Sequence, residues 1–435
     1  MSYQSLIPHG GIGQFTKSFC ELMEANNIRV DIITDKEPQD TEFIKSIPAN
    51  IISPTDSLRY TEHTNIFMYG DSYCYERMAN FRSAVIKAFT SNIYDAIICN
   101  TYESVQVVQT MGLSDCVQVI AYTHLESQMY EETNTPFLDS VNEMMRNQMR
   151  LSDITVGTQS TFNIKVFNQC KVVELPIPFP EKDLLKEYHK PREGVLFIGR
   201  WEEGKNPELF LDIIEQTKLP ARVMTNSVGA KKFEDRLKKI GVDYKIAVSI
   251  IGKEKVDFIT DCRMAVNPST VESYGVAFWE QITQLPTIAL TNQRWTNNFD
   301  NNYFFTSDKK NIAAETQKLY NQFETAESYY KTGALNNSIR MDESIASKWI
   351  NCFNAFEIKK SNSNSAKICQ ENTIKYKDFI KNLGRNTLCI DDIRSVLSNK
   401  HKFRIIFSEN DTFFTKDPNF VPVKESFGLS LFDGL

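Results

Sequence analysis

Two cations have the spacing of a site for a negatively charged ligand. Arg200 and Lys205 stand five residues apart in "FIGRWEEGKN", where a predicted apolar strand gives way to a predicted helix. An arginine binds phosphate oxygens bidentately and a lysine adds a point charge, so this pair suits a diphosphate. A solvated turn is the alternative for these two residues.

Two carboxylates form a second candidate set. Glu272 and Glu280 lie eight residues apart in "VESYGVAFWEQ", with Ser273, Tyr274 and Gly275 at the predicted helix start between them. Glu280 interrupts an apolar run, where an ionised carboxylate is unfavourable unless a partner bonds to it. A pair of ligand hydroxyls would be such a partner, and the alternative is that Glu280 lies on a surface face of the helix.

A glycine loop precedes the first predicted helix. Gly10, Gly11 and Gly13 lie in "IPHGGIGQF", residues 7–15. Such a loop presents free N–H groups and the positive end of a helix dipole, which favour a phosphate. Thr16 stands where the third glycine of the dinucleotide fingerprint belongs, so a plain tight turn is the alternative.

Short β-branched runs alternate with helical patterns and would position these residues. The runs are "RVDIITD" (29–35), "NIFMYG" (65–70), "AIICN" (96–100), "VQVIAYTH" (117–124), "ITVGT" (154–158), "GVLFIGR" (194–200), "ARVMTN" (221–226), "YKIAVSIIG" (244–252), "MAVNPS" (264–269) and "PTIALT" (286–291). Nearly continuous apolar runs are typical of parallel strands that are buried on both faces. His124 ends one run and is a further candidate, with a structural histidine as the alternative.

The chain therefore predicts an α/β fold of two doubly wound domains with a cleft between the carboxyl ends of their strands. A polar, proline-marked stretch from 176 to 194 separates the two series of strands. We expect an N-terminal domain over 1–180 and a C-terminal domain over 181–342. A helix over 343–358 and an extension over 359–435 follow.

Composition excludes several classes of protein. With 435 residues, 41% hydrophobic and 24% charged, the chain reads as a folded multidomain protein, and no apolar run approaches the roughly 20 residues of a membrane span. The N-terminus lacks the pattern of a signal peptide, which favours a cytoplasmic protein. The nine scattered cysteines include no C-x-x-C pair, which argues against a disulfide framework or a structural zinc site.

The glycine loop, the histidine, Arg-x4-Lys and Glu-x7-Glu, each at a predicted strand end, together resemble glycosyltransferase family 4, the retaining enzymes of GT-B fold. The resemblance covers residues 1–358. It implies two Rossmann-like domains facing a cleft that binds a nucleotide-sugar donor, with a UDP-sugar favoured. It also implies that Arg200 and Lys205 hold the diphosphate, while the loop glycines approach it from the first domain.

The resemblance assigns the remaining candidates to the same donor. Glu280 would accept the ribose hydroxyls, Glu272 would contact the transferred sugar, and His124 would face the sugar near the reacting carbon. The backbone of residues 273–275 would lie near the phosphates. Fixed cations and N–H groups stabilise a departing diphosphate, so neither a metal nor another cofactor is expected.

Two features bear on the acceptor. The stretches "DAIICNTYESVQ", "VIAYTHLES" and "TVGTQSTFNIKVF" are similar to T-even phage DNA α-glucosyltransferases, which modify hydroxymethylcytosine. Residues 359–406 hold eleven basic and four acidic side chains, a net charge of +7 in a chain of −6, as a duplex DNA partner would require. A solvated lysine face or an anionic membrane surface are the alternatives for this segment.

Three hypotheses follow. The chain is a glycosyltransferase of phage-type modified DNA, working in the cytoplasm of a bacterial host. It is a glycosyltransferase of bacterial surface polysaccharide or of lipid-linked oligosaccharide. It is an inactive GT-B scaffold. The oligomeric state, the sugar and the role of residues 359–435 do not follow from the sequence.

Overall fold

The computed structural model describes residues 11–38, 41–54, 71–100, 102–122, 151–157, 171–179, 182–186, 191–272, 274–322, 344–355 and 364–371. Gly10, His124, Ser273 and the predicted strand over 65–70 lie outside the described residues. Within them, strands and helices alternate along the chain in an α/β fold.

The described strands are short and pair in parallel. They are β1 (Asp31–Ile33), β2 (Asn50–Ile52), β3 (Ala96–Cys99), β4 (Gln118–Tyr122), β5 (Ile154–Gly157), β6 (Lys171–Glu174), β7 (Val195–Ile198), β8 (Ala221–Thr225), β9 (Tyr244–Val248), β10 (Met264–Asn267), β11 (Thr287–Leu290) and β12 (Phe305–Ser307). The sequence pattern does not reveal β2, β6 or β12, each of which has only three or four residues.

The helices connect these strands. They are α1 (Gly11–Ala25), α2 (Thr41–Lys45), α3 (Asp71–Ser91), α4 (Tyr102–Thr110), α5 (Pro207–Thr217), α6 (Ser227–Ile240), α7 (Gly252–Asp261), α8 (Val276–Gln284), α9 (Ile312–Asn321), α10 (344–354) and α11 (365–371). No helix in the described part of the chain is long and apolar enough to cross a membrane.

The largest described sheet has the strand order β12-β11-β10-β7-β8-β9. Counted from β7, this is the doubly wound order, in which the chain builds outward in one direction and then in the other. β7 and β10 are neighbours, and the connections after them run to opposite sides. A crevice at their carboxyl ends is the place where open α/β sheets bind ligands. The other described strands form a four-stranded sheet, β3-β4-β5-β6, and the pair β1-β2.

Apolar helices cover both faces of the β7–β12 sheet. Phe210 of α5 and Phe233 of α6 pack against β7 on one face, in a core cluster that also includes α9. Val256 of α7 and Phe278 of α8 belong to a second cluster. This second cluster continues into Phe15 of α1, so one apolar core joins the large sheet to the segments that precede it.

Helix α10 contributes Trp349 to this second cluster. The Trp349 ring lies edge-on to Phe19 at 4.9 Å and stacks with Tyr122 at 5.8 Å. Its Nε1 donates to the carbonyl oxygen of Pro176 at 3.0 Å. Further along, Ser365 and Cys369 of α11 are fully buried, so the described part of the basic segment, residues 364–371, is packed on the protein. The domain bounds given above stay predictions.

Candidate functional site

The loop after β7 carries both candidate cations. Gly199 donates its N–H to the carbonyl oxygen of Met224 at 3.0 Å, which holds the loop on the neighbouring strand β8. Lys205 ends a 3-10 turn, and α5 begins only at Pro207, because proline suits the first turn of a helix. The sequence predicted Lys205 at the helix start, whereas the structure gives it a turn of its own.

Arg200 lies at the edge of this loop. Its Nη2 is 3.1 Å from Oε2 of Glu202, and both side chains are exposed. Exposed ion pairs contribute little to stability, typically about 0–1 kcal/mol. The guanidinium of Arg200 can therefore exchange Glu202 for another anion with little loss of stability.

The loop after β10 meets the loop after β7. Thr270 donates its N–H to the carbonyl oxygen of Gly204 at 2.9 Å, and Val271 donates to the same oxygen at 3.3 Å. These bonds bring Nζ of Lys205 to Oε2 of Glu272, with which it forms an ion pair. Lys205 is 21% exposed and Glu272 only 9%. The structure thus joins two of the predicted residues at the crevice between β7 and β10.

The second oxygen of Glu272 has no such partner. Oε1 is buried and makes no hydrogen bond within the described part of the chain. Buried carboxylate oxygens are nearly always hydrogen-bonded, so an exception at a crevice needs an explanation. A hydroxyl group of a ligand, donating to Oε1, would satisfy it.

Helix α8 presents its N-terminus to the same crevice. Gly275 caps it in the left-handed region, with φ +85°, and a Cβ there would stand 3.1 Å from Cε3 of Trp295. The N-cap residue Gly275 makes no side-chain cap hydrogen bond, and the first turn of α8 has no acidic residue. Among the described residues, no side-chain cap thus competes with an anion for the first N–H groups of α8. Tyr274 is buried beside this cap, and its carbonyl oxygen accepts from Nδ2 of Asn298 at 3.1 Å.

Glu280 lies one turn further along α8 and is 2% exposed, so the surface-face alternative is wrong. Its Oε1 is 2.5 Å from Nζ of Lys255, on α7. Sequence reasoning recognised that Glu280 needs a partner and assigned a ligand to that task. It missed Lys255, for which the buried carboxylate was the only signal.

The start of α1 packs against the end of β4. Helix α1 begins at Gly11, and Gly13 is buried in its first turn. Phe15 stacks on Tyr122, with ring centroids 4.6 Å apart. Tyr122 ends β4, two residues before His124, so the start of α1 lies beside the strand end that leads to this histidine.

Most of the described cysteines are buried in the core, Cys352 being half-buried. Burial raises the pKa of the Cys262 thiol to about 12 and that of Cys99 also to about 12. Thiols with such pKa values carry almost no thiolate at neutral pH and are poor nucleophiles and metal ligands. Within the described ranges, no three His, Cys, Asp or Glu side chains form a group that would hold a metal ion.

Comparisons with known proteins bear on the fold. No family model and no curated protein matches the chain. Among solved structures, sucrose-phosphate synthase from Thermosynechococcus elongatus is 14% identical with a TM-score of 0.62, covering 79% of this chain and 92% of that one. HepE from Anabaena, in complex with UDP and glucose, is 12% identical with a TM-score of 0.59, covering 80% of this chain and 98% of that one.

A third solved structure, TarM, is 15% identical with a TM-score of 0.51 and shares 63% of this chain. The chain spans 59% of the length of TarM. At such identities the likeness concerns the fold and not the activity. With its parallel sheets, its doubly wound order and these neighbours, the chain has the α/β architecture of the GT-B fold.

Proposed function

We propose that the chain is a retaining, metal-independent glycosyltransferase that moves a sugar from a UDP-sugar to an acceptor hydroxyl. The observation that carries this proposal is the meeting of Lys205 and Glu272 at the crevice between β7 and β10. It places a cation, a carboxylate and an uncapped helix N-terminus where a doubly wound sheet binds ligands. The similar structures of HepE contain UDP or UDP-glucose, which supports a uridine donor.

In this proposal Lys205 exchanges Glu272 for the diphosphate of the donor, and Arg200 exchanges Glu202. The N–H groups at the start of α8 bind the same phosphates. As the bond between the sugar C1 and the phosphate oxygen breaks, negative charge grows on the diphosphate, and these fixed groups stabilise it without reorganisation.

The carboxylates and the first domain bind the rest of the donor. Glu272, released by Lys205, accepts hydroxyls of the transferred sugar through Oε1, while Glu280 accepts the ribose hydroxyls. Gly10, Gly11 and Gly13 approach the diphosphate from the start of α1, and His124 faces the sugar. The acceptor oxygen attacks C1 from the face that UDP leaves, and its proton goes to a phosphate oxygen.

The favoured acceptor is hydroxymethylcytosine in duplex DNA. The support is the net charge of +7 between residues 359 and 406, of which the structure describes only 364–371. A carbohydrate hydroxyl is the second candidate, because HepE was solved with UDP and glucose, and a TarM variant with fondaparinux, alpha-GlcNAc-glycerol and UDP. Either reaction would take place in the cytoplasm.

The test is transfer from radiolabelled UDP-glucose, UDP-galactose and UDP-GlcNAc. Each donor is offered hydroxymethylcytosine-containing duplex, unmodified duplex, a bacterial glycan fraction or no acceptor. Label on the modified duplex alone is expected. The NMR spectrum of the product should show the same anomeric configuration as the donor. Label on the glycan alone would favour the second candidate. No turnover of any donor would overturn the enzyme and favour an inactive scaffold.

A further inference from the structure

Helices α7 and α8 are joined by a buried ion pair between Lys255 and Glu280. Nζ and Oε1 are 2.5 Å apart, and the side chains are 14% and 2% exposed. α7 packs against α8 on the face of the sheet that belongs to the larger apolar cluster. The pair therefore lies in apolar surroundings, where each charge depends strongly on the other.

Among the described residues, Lys255 alone donates a hydrogen bond to the carboxylate of Glu280. Along α8, Glu280 is flanked by the buried hydrophobic side chains Trp279 and Ile282 and by the buried polar Gln281. A glutamate has three rotatable bonds, and nothing else among the described groups bonds to its carboxylate. The orientation of the carboxylate is thus set by one bond, from Nζ of Lys255 to Oε1.

We propose that Lys255 positions Glu280 for the ribose of the donor and so sets the preference for ribonucleotides over 2′-deoxyribonucleotides. The inference rests on the proposed function, in which Glu280 accepts the ribose hydroxyls. An ionised carboxylate offers about four lone-pair positions on its two oxygens. Lys255 occupies one of them on Oε1 and fixes the plane of the group, leaving the rest for the two hydroxyls.

The test is calorimetric binding of UDP and of 2′-deoxy-UDP to the full chain. The wild-type protein is expected to bind UDP about tenfold more tightly, the size of one hydrogen bond to a charged group. Lys255→Met should weaken UDP about tenfold more than it weakens 2′-deoxy-UDP, which keeps only the 3′-hydroxyl, so that the ratio falls towards one. Lys255→Arg, which keeps the charge and the donor, should restore most of the preference.

Two further variants separate positioning from general damage. Lys253→Met removes a 90% exposed lysine from the same helix and should bind both nucleotides as the wild type does. Once Glu280→Gln is in place, adding Lys255→Met should weaken UDP binding little further, because residues that act through each other are not additive. If Lys255→Met does not fold, Lys255→Gln is judged by the same ratio.

The outcomes keep the two proposals apart. Wild-type protein that binds neither nucleotide contradicts the proposed function. The wild-type protein could instead prefer UDP while Lys255→Met keeps that preference or weakens both ligands equally. Either result overturns the role of Lys255 and leaves the proposed function standing.

Discussion

Lys205 and Lys255 each neutralise one glutamate of the Glu-x7-Glu motif, but in different surroundings. Lys205 belongs to a loop, is 21% exposed and leaves Oε1 of Glu272 without a partner. Lys255 belongs to a helix and reaches a glutamate that is buried almost completely. Lys205 can move to another anion because the loop leaves it partly in solvent, whereas separating Lys255 from Glu280 would leave a carboxylate that is only 2% exposed without its partner.

The difference assigns different tasks to the two pairs. The Lys205–Glu272 pair joins the two loops at the crevice, and in the proposed function it opens when a diphosphate enters. In the same proposal the Lys255–Glu280 pair stays closed and holds a carboxylate in place. Substitutions at the first pair should therefore act mainly on turnover, and substitutions at the second mainly on donor affinity.

The largest effect is expected from Lys205→Met. The charge on the departing diphosphate grows in the transition state, so loss of its cation should lower kcat about 100- to 1000-fold with a smaller change in the donor KM. Steady-state donor turnover measures both constants. Lys238→Met, which removes an exposed lysine of α6, is the control and should leave turnover unchanged. A Lys205 variant with near-normal kcat would show that this lysine does not act on the departing diphosphate.

Arg200 and Glu202 should respond in opposite directions. Arg200→Ala is expected to lower kcat about 100-fold, because a second fixed cation is lost from the diphosphate. Glu202→Ala removes a competing surface anion 3.1 Å from the guanidinium and should leave kcat unchanged or lower the donor KM slightly. Steady-state kinetics of the two variants measure both constants. An equal loss of kcat in both variants would argue that the Arg200–Glu202 pair is structural.

Glu280→Ala should raise the donor KM about tenfold and change kcat less. Under the proposed function the variant removes the acceptor of the ribose hydroxyls, which would be bound equally in the ground state and the transition state. Glu272→Gln should do the reverse and act on kcat, because its contacts are to the reacting sugar. If both variants change the same constant by the same factor, the division of tasks between the two pairs is wrong.

The last prediction concerns stability, at the glycine that caps the N-terminus of α8. Gly275→Ala puts a Cβ at φ +85° and 3.1 Å from Cε3 of Trp295, and should lower the free energy of unfolding by about 2 kcal/mol. Gly241→Ala is the matched control, since it has φ +75° with nothing within 4 Å of the new atom. It should lose about 1 kcal/mol. Urea unfolding measures the free energy of unfolding of both variants. An equal loss would show that contact with Trp295 does not add to the effect of the positive φ.

Part of this arrangement could be predicted from the sequence. Arg200 comes two residues after β7 and Glu272 five residues after β10, and parallel strands that bury both faces are the strongest signal in such a chain. The strands β7 to β11 were therefore predictable, and with them the sheet edge at which these residues lie. Strands as short as β2 and β12 carry too few residues for a pattern.

Lys255 was not predictable, because its contact with Glu280 depends on how α7 packs against α8. The two residues are 25 positions apart and on different helices. Nothing in the spacing distinguishes Lys255 from the exposed Lys253 beside it. The one usable signal was a glutamate in an apolar helix, which indicates a buried partner without saying which side chain supplies it.

A crystal structure of the protein with UDP bound would show whether Lys205 leaves Glu272 for the donor. We expect the diphosphate at the carboxyl ends of β7 and β10, about 3 Å from Nζ of Lys205. Lys205 should have left Glu272, while Lys255 remains bonded to Glu280. UDP bound elsewhere, or a Lys205–Glu272 pair that stays closed beside the nucleotide, would contradict it.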